Sequence, residues 1–372
     1  MPDEPNADDD RPMTAATLTR LSTKRRPVTV AVHENASAGP ILTIGVDVGG
    51  TKTACVVTDA DDRVIYRDVV PTDSARLAAQ LVEIARRAMA KNEGVLAIGI
   101  AVPGQVEPGN GAVDLAVNLG GGHADLGANV ESGTGLPCFV EHDARAAAAW
   151  VYERAGSNAR GKSGDDLCYL SLGTGIAAGI VLDGKTLRGE SGLAGEVGHS
   201  FAEPDGPECA CGLRGCLESV ASGPAIARKA HQAVERGEAT TLTRDSTAAD
   251  VFAAAQAGDD VAQRITERVS THLARAIRGL VLTLGVRRVV LGGGVAASGD
   301  ALLNPLLGAI AAERRVSQLV ESVFAATTLD ILEPGLDPGA RGAAAIARRA
   351  LFDATTTSTR TSTAHREGVG DR

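Results

Sequence analysis

The sequence predicts an α/β protein built as two domains facing each other across a cleft. Three observations lead there. The chain has 372 residues, too long for one ordinary domain and comfortable for two. Hydrophobic residues make up 44% and charged residues 22%, which excludes a wholly disordered or fibrous chain. A pattern of strand, glycine turn, strand, polar turn and strand occurs twice, each time followed by helices and further strand. Aromatic residues are only 2% while glycine contributes 44, so the core has to be aliphatic and close-packed.

Residues 1–40 carry an acidic start, a Lys24-Arg25-Arg26 run and little apolar periodicity, and are expected as a disordered tail. The first strand spans 41–48 and ends at Gly49-Gly50; a second covers 54–58, the turn Asp59-Ala60-Asp61-Asp62 follows, and a third covers 63–70. Helical spacing marks 74–91, a strand follows at 95–102, another at 137–140, and an Ala-rich helix at 143–154. The pattern then repeats: strand 167–172, turn Gly173-Thr174-Gly175, strand 176–182, turn Asp183-Gly184, strand 185–188. A long amphipathic helix is expected over 262–284, a strand over 288–291 and a last helix over 340–351. The Thr-, Ser- and Arg-rich 353–372 segment is expected as a second disordered tail. The domains are placed at 41–146, joined by 337–352, and at 147–336.

A net charge of −9 gives no general attraction to a phosphate backbone, so nucleic acid is not expected as a partner. An anionic substrate would have to be held by backbone amides or a metal ion. No apolar run approaches the ~18–20 residues of a membrane span, and the acidic start lacks the sections of a signal peptide, so a cytoplasmic protein is expected. Cys55, Cys138 and Cys168 sit singly in apolar strand-like runs and read as buried small hydrophobes.

Asp47-Val48-Gly49-Gly50-Thr51-Lys52 puts an acid at a strand end beside a glycine turn. Such a turn lets N–H groups and a hydroxyl approach phosphate while the acid holds Mg²⁺ through water; an ordinary hairpin is the other reading. The echo at Gly173-Thr174-Gly175 favours phosphate, because two facing turns can hold it from both sides. Gly292-Gly293-Gly294 follows a strand and offers backbone to the same ligand. The 156–163 segment matches the P-loop pattern letter for letter, but a helix precedes it and a strand follows, the reverse of the working context, so it reads as a polar loop. Asp143 opens the Ala-rich helix, where an N-cap and a general base are both open readings. His199 with Cys209, Cys211 and Cys216 gives three thiolates and an imidazole among tight Gly and Pro turns, the ligand set of a closed structural zinc site.

These segments together resemble the ROK family of sugar kinases and regulators, which has the two-domain actin-like ATPase (ribonuclease H-like) fold. The resemblance runs from about Ile41 to Phe352. It rests on Asp47-Val-Gly-Gly-Thr-Lys52, Glu141-His-Asp143-Ala, Gly173-Thr-Gly175, Ala194-Gly-Glu196-Val-Gly198-His199, the knuckle from Cys209 to Cys216 with Glu218, and Leu291-Gly-Gly-Gly294. It implies an ATP-dependent kinase that transfers the γ-phosphate to a hexose hydroxyl, glucose at its 6-hydroxyl first, with ATP, Mg²⁺ and Zn²⁺ as cofactors and a homodimer as assembly. Asp143 is implied as general base. Asn118, Glu196, His199 and Glu218 are implied as sugar ligands, with His142 and Asp143 beside the ring. ATP falls to Asp47, Gly49, Gly50, Thr51, Lys52, Gly173, Thr174, Gly175, Gly292, Gly293 and Gly294.

The family's kinases usually carry Asn-Asp-Ala-Asn where this chain has His142-Asp143-Ala144-Arg145, and the run after Asn118 lacks their frequent Trp. His is bulkier than Asn and titrates near neutral pH, which sets N-acetylglucosamine or N-acetylmannosamine beside glucose as expected substrates. A sugar-sensing regulator is the remaining reading. Its N-terminal winged helix–turn–helix finds no two-helix pattern before the first strand here.

Overall fold

The computed structural model describes residues 41–107, 111–115, 119–154 and 166–364, with backbone alone for 115 and 353–364. Asn118, residues 1–40 and 365–372, and the 156–163 segment lie outside the described residues.

The first half holds β1 (Leu42–Val48), β2 (Lys52–Thr58), β3 (Val64–Pro71), α1 (Leu77–Lys91), β4 (Val95–Val102), β5 (Gly104–Val106), β6 (Val113–Leu115), β7 (His123–Ala124), α2 (Leu126–Thr134), β8 (Cys138–His142) and α3 (Asp143–Arg154). The second half holds β9 (Leu167–Leu172), β10 (Ile176–Leu182), β11 (Lys185–Thr186), α4 (Leu217–Ala221), α5 (Gly223–Glu235), α6 (Ala248–Gln256), α7 (Asp260–Leu284), β12 (Arg288–Gly292), α8 (Asp300–Val316), α9 (Gln318–Phe324) and β13 (Thr328–Ile331). α10 (Pro338–Ala364) ends the described chain.

The repeat seen in the sequence is a repeat of topology. One sheet runs β3-β2-β1-β4-β8 and the other β11-β10-β9-β12-β13; β5, β6 and β7 form a small third sheet. In each large sheet a meander supplies three antiparallel strands, and two further strands add parallel to the first. The central strand β1 is buried along nearly its whole length, as a strand covered on both faces must be. The edge strand β3 alternates exposed and half-buried residues instead.

Side-chain alternation separates the two faces of each sheet. Ile44, Val46, Ile98 and Ile100 point to the outer face, against Leu77, Leu81 and Ile84 of α1. Between them lie Gly45 and Gly99, paired across β1 and β4. A Cβ on Gly45 would stand 1.9 Å from the Ala340 carbonyl, and one on Gly99 1.9 Å from the Ala343 carbonyl. Glycine at both positions therefore lets α10 lie directly on the inner face of the first sheet. The second sheet does likewise with α3, since a Cβ on Gly179 in β10 would stand 2.0 Å from the Ala144 carbonyl. α3 and α10 meet through Gly342, whose Cβ would be 2.0 Å from the Ala146 carbonyl. The sheets thus sandwich two Ala- and Gly-lined helices, which accounts for the composition.

Several elements differ from their sequence reading. The first helix opens with a 3-10 turn, Ser74–Arg76, capped by Asp73. β8 ends at His142, directly against Asp143. β11 stops at Thr186 because Arg188 turns its guanidinium to Glu141. α10 continues to Ala364, into the segment expected as a tail; no Gly or Pro follows Phe352 in that stretch, and Thr and Ser lower helix propensity without breaking it. Cys55 and Cys168 are buried, their thiols pushed up to about 12 by burial, while Cys138 is only half-buried. Among the described residues no helix is long and apolar enough to cross a membrane.

Candidate functional site

The carboxyl ends of β1, β8, β9 and β12 all open on one cleft, the place where parallel α/β sheets leave backbone and side chains unpaired. The cleft has a volume of about 950 Å³. Of the residues the sequence singled out, Asp47, Gly49, Gly50, Thr51, Lys52, Asp143, Gly173, Thr174, Gly292, Gly293 and Gly294 line it together. The turn after β1 is closed by the Gly49 N–H donating to the Lys52 carbonyl at 3.0 Å, and the turn after β9 by the Gly173 N–H donating to the Gly175 carbonyl at 3.0 Å. Gly293 has φ +89°, and a Cβ there would stand 2.5 Å from the Leu172 carbonyl. Only glycine fits that position.

Two carboxylates share the cleft floor. Asp143 begins α3 and its Oδ1 accepts from the Ala144 N–H at 2.6 Å. Asp47 stands at the end of β1, and burial first, then the charges of Asp143 and Asp337, push its carboxyl up to about 7. Lys52 opposes that shift.

Beside Asp143 is a second group of side chains. His142 is 4% exposed, with Nδ1 3.3 Å from Asp143 Oδ1 and Nε2 3.3 Å from Glu196 Oε1. Burial alone would lower its pKa, but the Asp143 charge and the Glu196 carboxylate outweigh burial and hold it above the ordinary imidazole value. Burial would likewise raise Glu196, yet its contact with His142 and the charges of His142, His199 and Arg145 keep it below the usual range. Glu196 belongs to Gly195-Glu196-Val197-Gly198-His199, which lies flat on β10. Cβ atoms at Gly195 and Gly198 would stand 1.9 Å from the Ala178 carbonyl and 2.2 Å from the Ile176 carbonyl. Glu218 Oε2 accepts from the Ile176 N–H at 2.9 Å and packs against Gly175, so it braces the second glycine turn.

His199 leads into the cysteine loop. One ligand atom from each of His199, Cys209, Cys211 and Cys216 lies within 4.8 Å of all the others. Cys209 Sγ is 3.6 Å from His199 Nδ1, and Cys211 Sγ is 3.7 Å from Cys216 Sγ. Bonds of ~2.3 Å from zinc to sulfur give tetrahedral edges of ~3.8 Å, so the donor set and its spacing fit that ion.

Sequence reasoning missed part of this site. Tyr169, Ser171, Arg244, Asp245 and Asp337 also line the cleft. The signal at Asp337 was the Pro334-Gly335-Leu336-Asp337-Pro338 turn, in which Asp337 takes φ +46° and accepts from Arg67 at 2.6 Å. Tyr169 and Ser171 lie in the strand before the second glycine turn, where alternation alone does not say which side chains reach the cleft, and Arg244-Asp245 sits in a polar stretch without glycine.

Known proteins resemble this chain. A glucokinase of Halalkalibacterium halodurans is 34% identical, over 71% of this chain and 83% of the relative. An N-acetylmannosamine kinase of Citrobacter koseri is 35% identical, over 68% of this chain and 83% of the relative. A ROK family glucokinase of Streptomyces griseus, solved with glucose and AMPPNP, superposes with a TM-score of 0.68 at 32% identity, covering 83% of this chain and 99% of that one. A ROK family transcriptional regulator, a homologue of the E. coli MLC protein, superposes with a TM-score of 0.69 at 25% identity, covering 83% and 78%. The sequence pattern of the ROK family matches residues 43–350, in step with the duplicated sheets and the cleft between them, and the chain belongs to that family.

Proposed function

We propose that the protein is an ATP-dependent sugar kinase that passes the γ-phosphate of ATP to a hexose hydroxyl, with glucose and its 6-hydroxyl first. The observation that carries this is the placement of Asp143 in the same cleft as both glycine turns and Asp47. Phosphoryl transfer needs positioning and charge neutralisation more than covalent chemistry. Asp143 Oδ2, the oxygen left free by the Ala144 N–H, takes the proton of the attacking hydroxyl. The two turns hold the phosphates through the N–H groups of Gly50, Thr51 and Thr174 and through the two threonine hydroxyls. Asp47 would hold Mg²⁺ through water, and the ion would supply the charge that neutralises the transferring phosphate. Glu196, His199 and Glu218 are the sugar ligands; Asn118, the fourth that the resemblance implies, lies outside the described residues.

Zn²⁺, which His199, Cys209, Cys211 and Cys216 would hold, would supply no chemistry of its own; it would fix the His199 ring, leaving Nε2 for the sugar. The domains are those formed around the two large sheets, residues 41–146 with 337–352 and residues 147–336. Support for an N-acetylhexosamine as substrate comes from the N-acetylmannosamine kinase relative and from His142 beside the ring. Incubating the enzyme with glucose and ATP·Mg²⁺ and reading the product by phosphorus and proton NMR tests the proposal. Phosphate on carbon 6 is expected; no sugar phosphate from glucose or from N-acetylmannosamine would overturn it.

A further inference from the structure

Glu141 is 2% exposed and Arg145 1% exposed, two charges removed from water beside the proposed catalytic base. Their pairing crosses between the sheets. Glu141 is the next-to-last residue of β8 in the first sheet, and its Oε1 accepts from Arg145 Nε at 2.7 Å and from the His142 N–H at 2.9 Å. Its Oε2 accepts from Arg188 Nε at 2.7 Å and pairs with Arg188 Nη2 at 2.5 Å. Arg188 follows β11 of the second sheet. Arg145 Nη1 continues the link by donating to the Gly192 carbonyl at 2.9 Å and approaching the Ala194 carbonyl at 3.5 Å. Gln105 adds a bond to the Ser191 carbonyl at 2.7 Å. Every anchor falls on the 188–194 loop, which leads directly into Gly195 and Glu196.

A buried ion pair is a poor device for stability, because desolvation cancels most of the attraction. It is a good device for register, because an arginine fork accepts only one arrangement of its partners. We infer that Arg145, through Glu141 and the 192–194 carbonyls, is a positioning residue that fixes Glu196 relative to His142 and Asp143. It thereby sets sugar affinity without touching the sugar. The inference rests on the kinase reading in so far as Glu196 faces the substrate. The charge of Arg145 also helps keep Glu196 ionised.

The test compares Arg145→Lys, the double variant Glu141→Gln/Arg145→Met, and Arg188→Ala with the wild type. Lysine keeps the charge and loses the fork; the double variant removes both buried charges; Arg188 is half-exposed, so its removal leaves the fold least disturbed. All three are expected to raise the KM for sugar, about tenfold for the Arg145 variants and less for Arg188→Ala, with the KM for ATP within about twofold of wild type. Amides of 188–196 are expected to exchange hydrogen faster in each variant. Unchanged sugar KM and unchanged exchange in a folded double variant would overturn the inference. Should that variant not fold, the same null result in Arg188→Ala and Arg145→Lys overturns it. A wild type with no sugar-dependent turnover would sink the kinase reading instead, and loop exchange would still decide whether the clamp exists.

Discussion

In the proposed reaction Asp143 and Asp47 divide the labour of the cleft by their surroundings. Asp143 is a third exposed, whereas burial and the charges of Asp143 and Asp337 push Asp47 up to about 7. Asp143→Asn is expected to lower kcat by about 10²–10⁴-fold while sugar binding, read by calorimetry, stays within a few-fold. Asp47 makes a separate prediction about stability. A carboxyl whose pKa is higher folded than unfolded stabilises the fold while it is protonated. That contribution is full below about 4 and is lost as pH rises through about 7. The ligand-free protein should therefore lose thermal stability across that window, and Asp47→Asn should flatten the trend. Scanning calorimetry from about pH 5 to pH 8 checks it; an equal slope in the variant would contradict the assignment. At this scale the sequence was legible where one residue type is obligatory, as at Gly293 or the Cys209–Cys216 loop. It was illegible at Glu141 and Arg145, whose meaning depends on which carbonyls the fold brings within reach.

Secondary elements were read well where periodicity or a glycine turn marks them. The two meanders, β4, α3 and α7 fall within a few residues of expectation, since each has a buried stripe or a run bounded by turn residues. α2, α5, α6, α8 and α9 were not read: α2, α6 and α9 span only 9, 9 and 7 residues, too few for a clear period, α8 carries Pro305 inside it, and the buried stripe of α5 is mostly Ala. The contact between α10 and the first sheet was also invisible, although Gly45 and Gly99 were in plain view. Gly99→Val should cost about 1–3 kcal/mol or more, because backbone rather than a flexible side chain blocks the added atoms. Urea unfolding measures this, and a neutral result would mean that α10 does not lie where the structure puts it. The cysteine loop carries its own prediction. Cys211→Ser should release zinc, seen in metal content, and weaken sugar affinity through His199; a folded, zinc-free variant with normal affinity would break that link.

At the scale of the whole molecule, the duplication explains both the fold and the site. Two copies of one sheet topology place two glycine turns and four strand ends around a single cleft. The Ala- and Gly-lined helices between the sheets hold them at close range, and domain closure over sugar and nucleotide would exclude water from the transfer. This architecture was legible because a repeated pattern is a property of the entire chain. The substrate was not, because side chains such as His142 acquire their neighbours, Asp143 and Glu196, only in the folded chain. The most direct test of the central claim is ADP release from ATP·Mg²⁺ by the wild-type protein with glucose, mannose, fructose, N-acetylglucosamine or N-acetylmannosamine. The account predicts turnover strongly stimulated by one of these sugars and nearly absent without it. ADP release at the same low rate with every sugar, alongside measurable sugar binding, would contradict it and make the protein a sugar sensor.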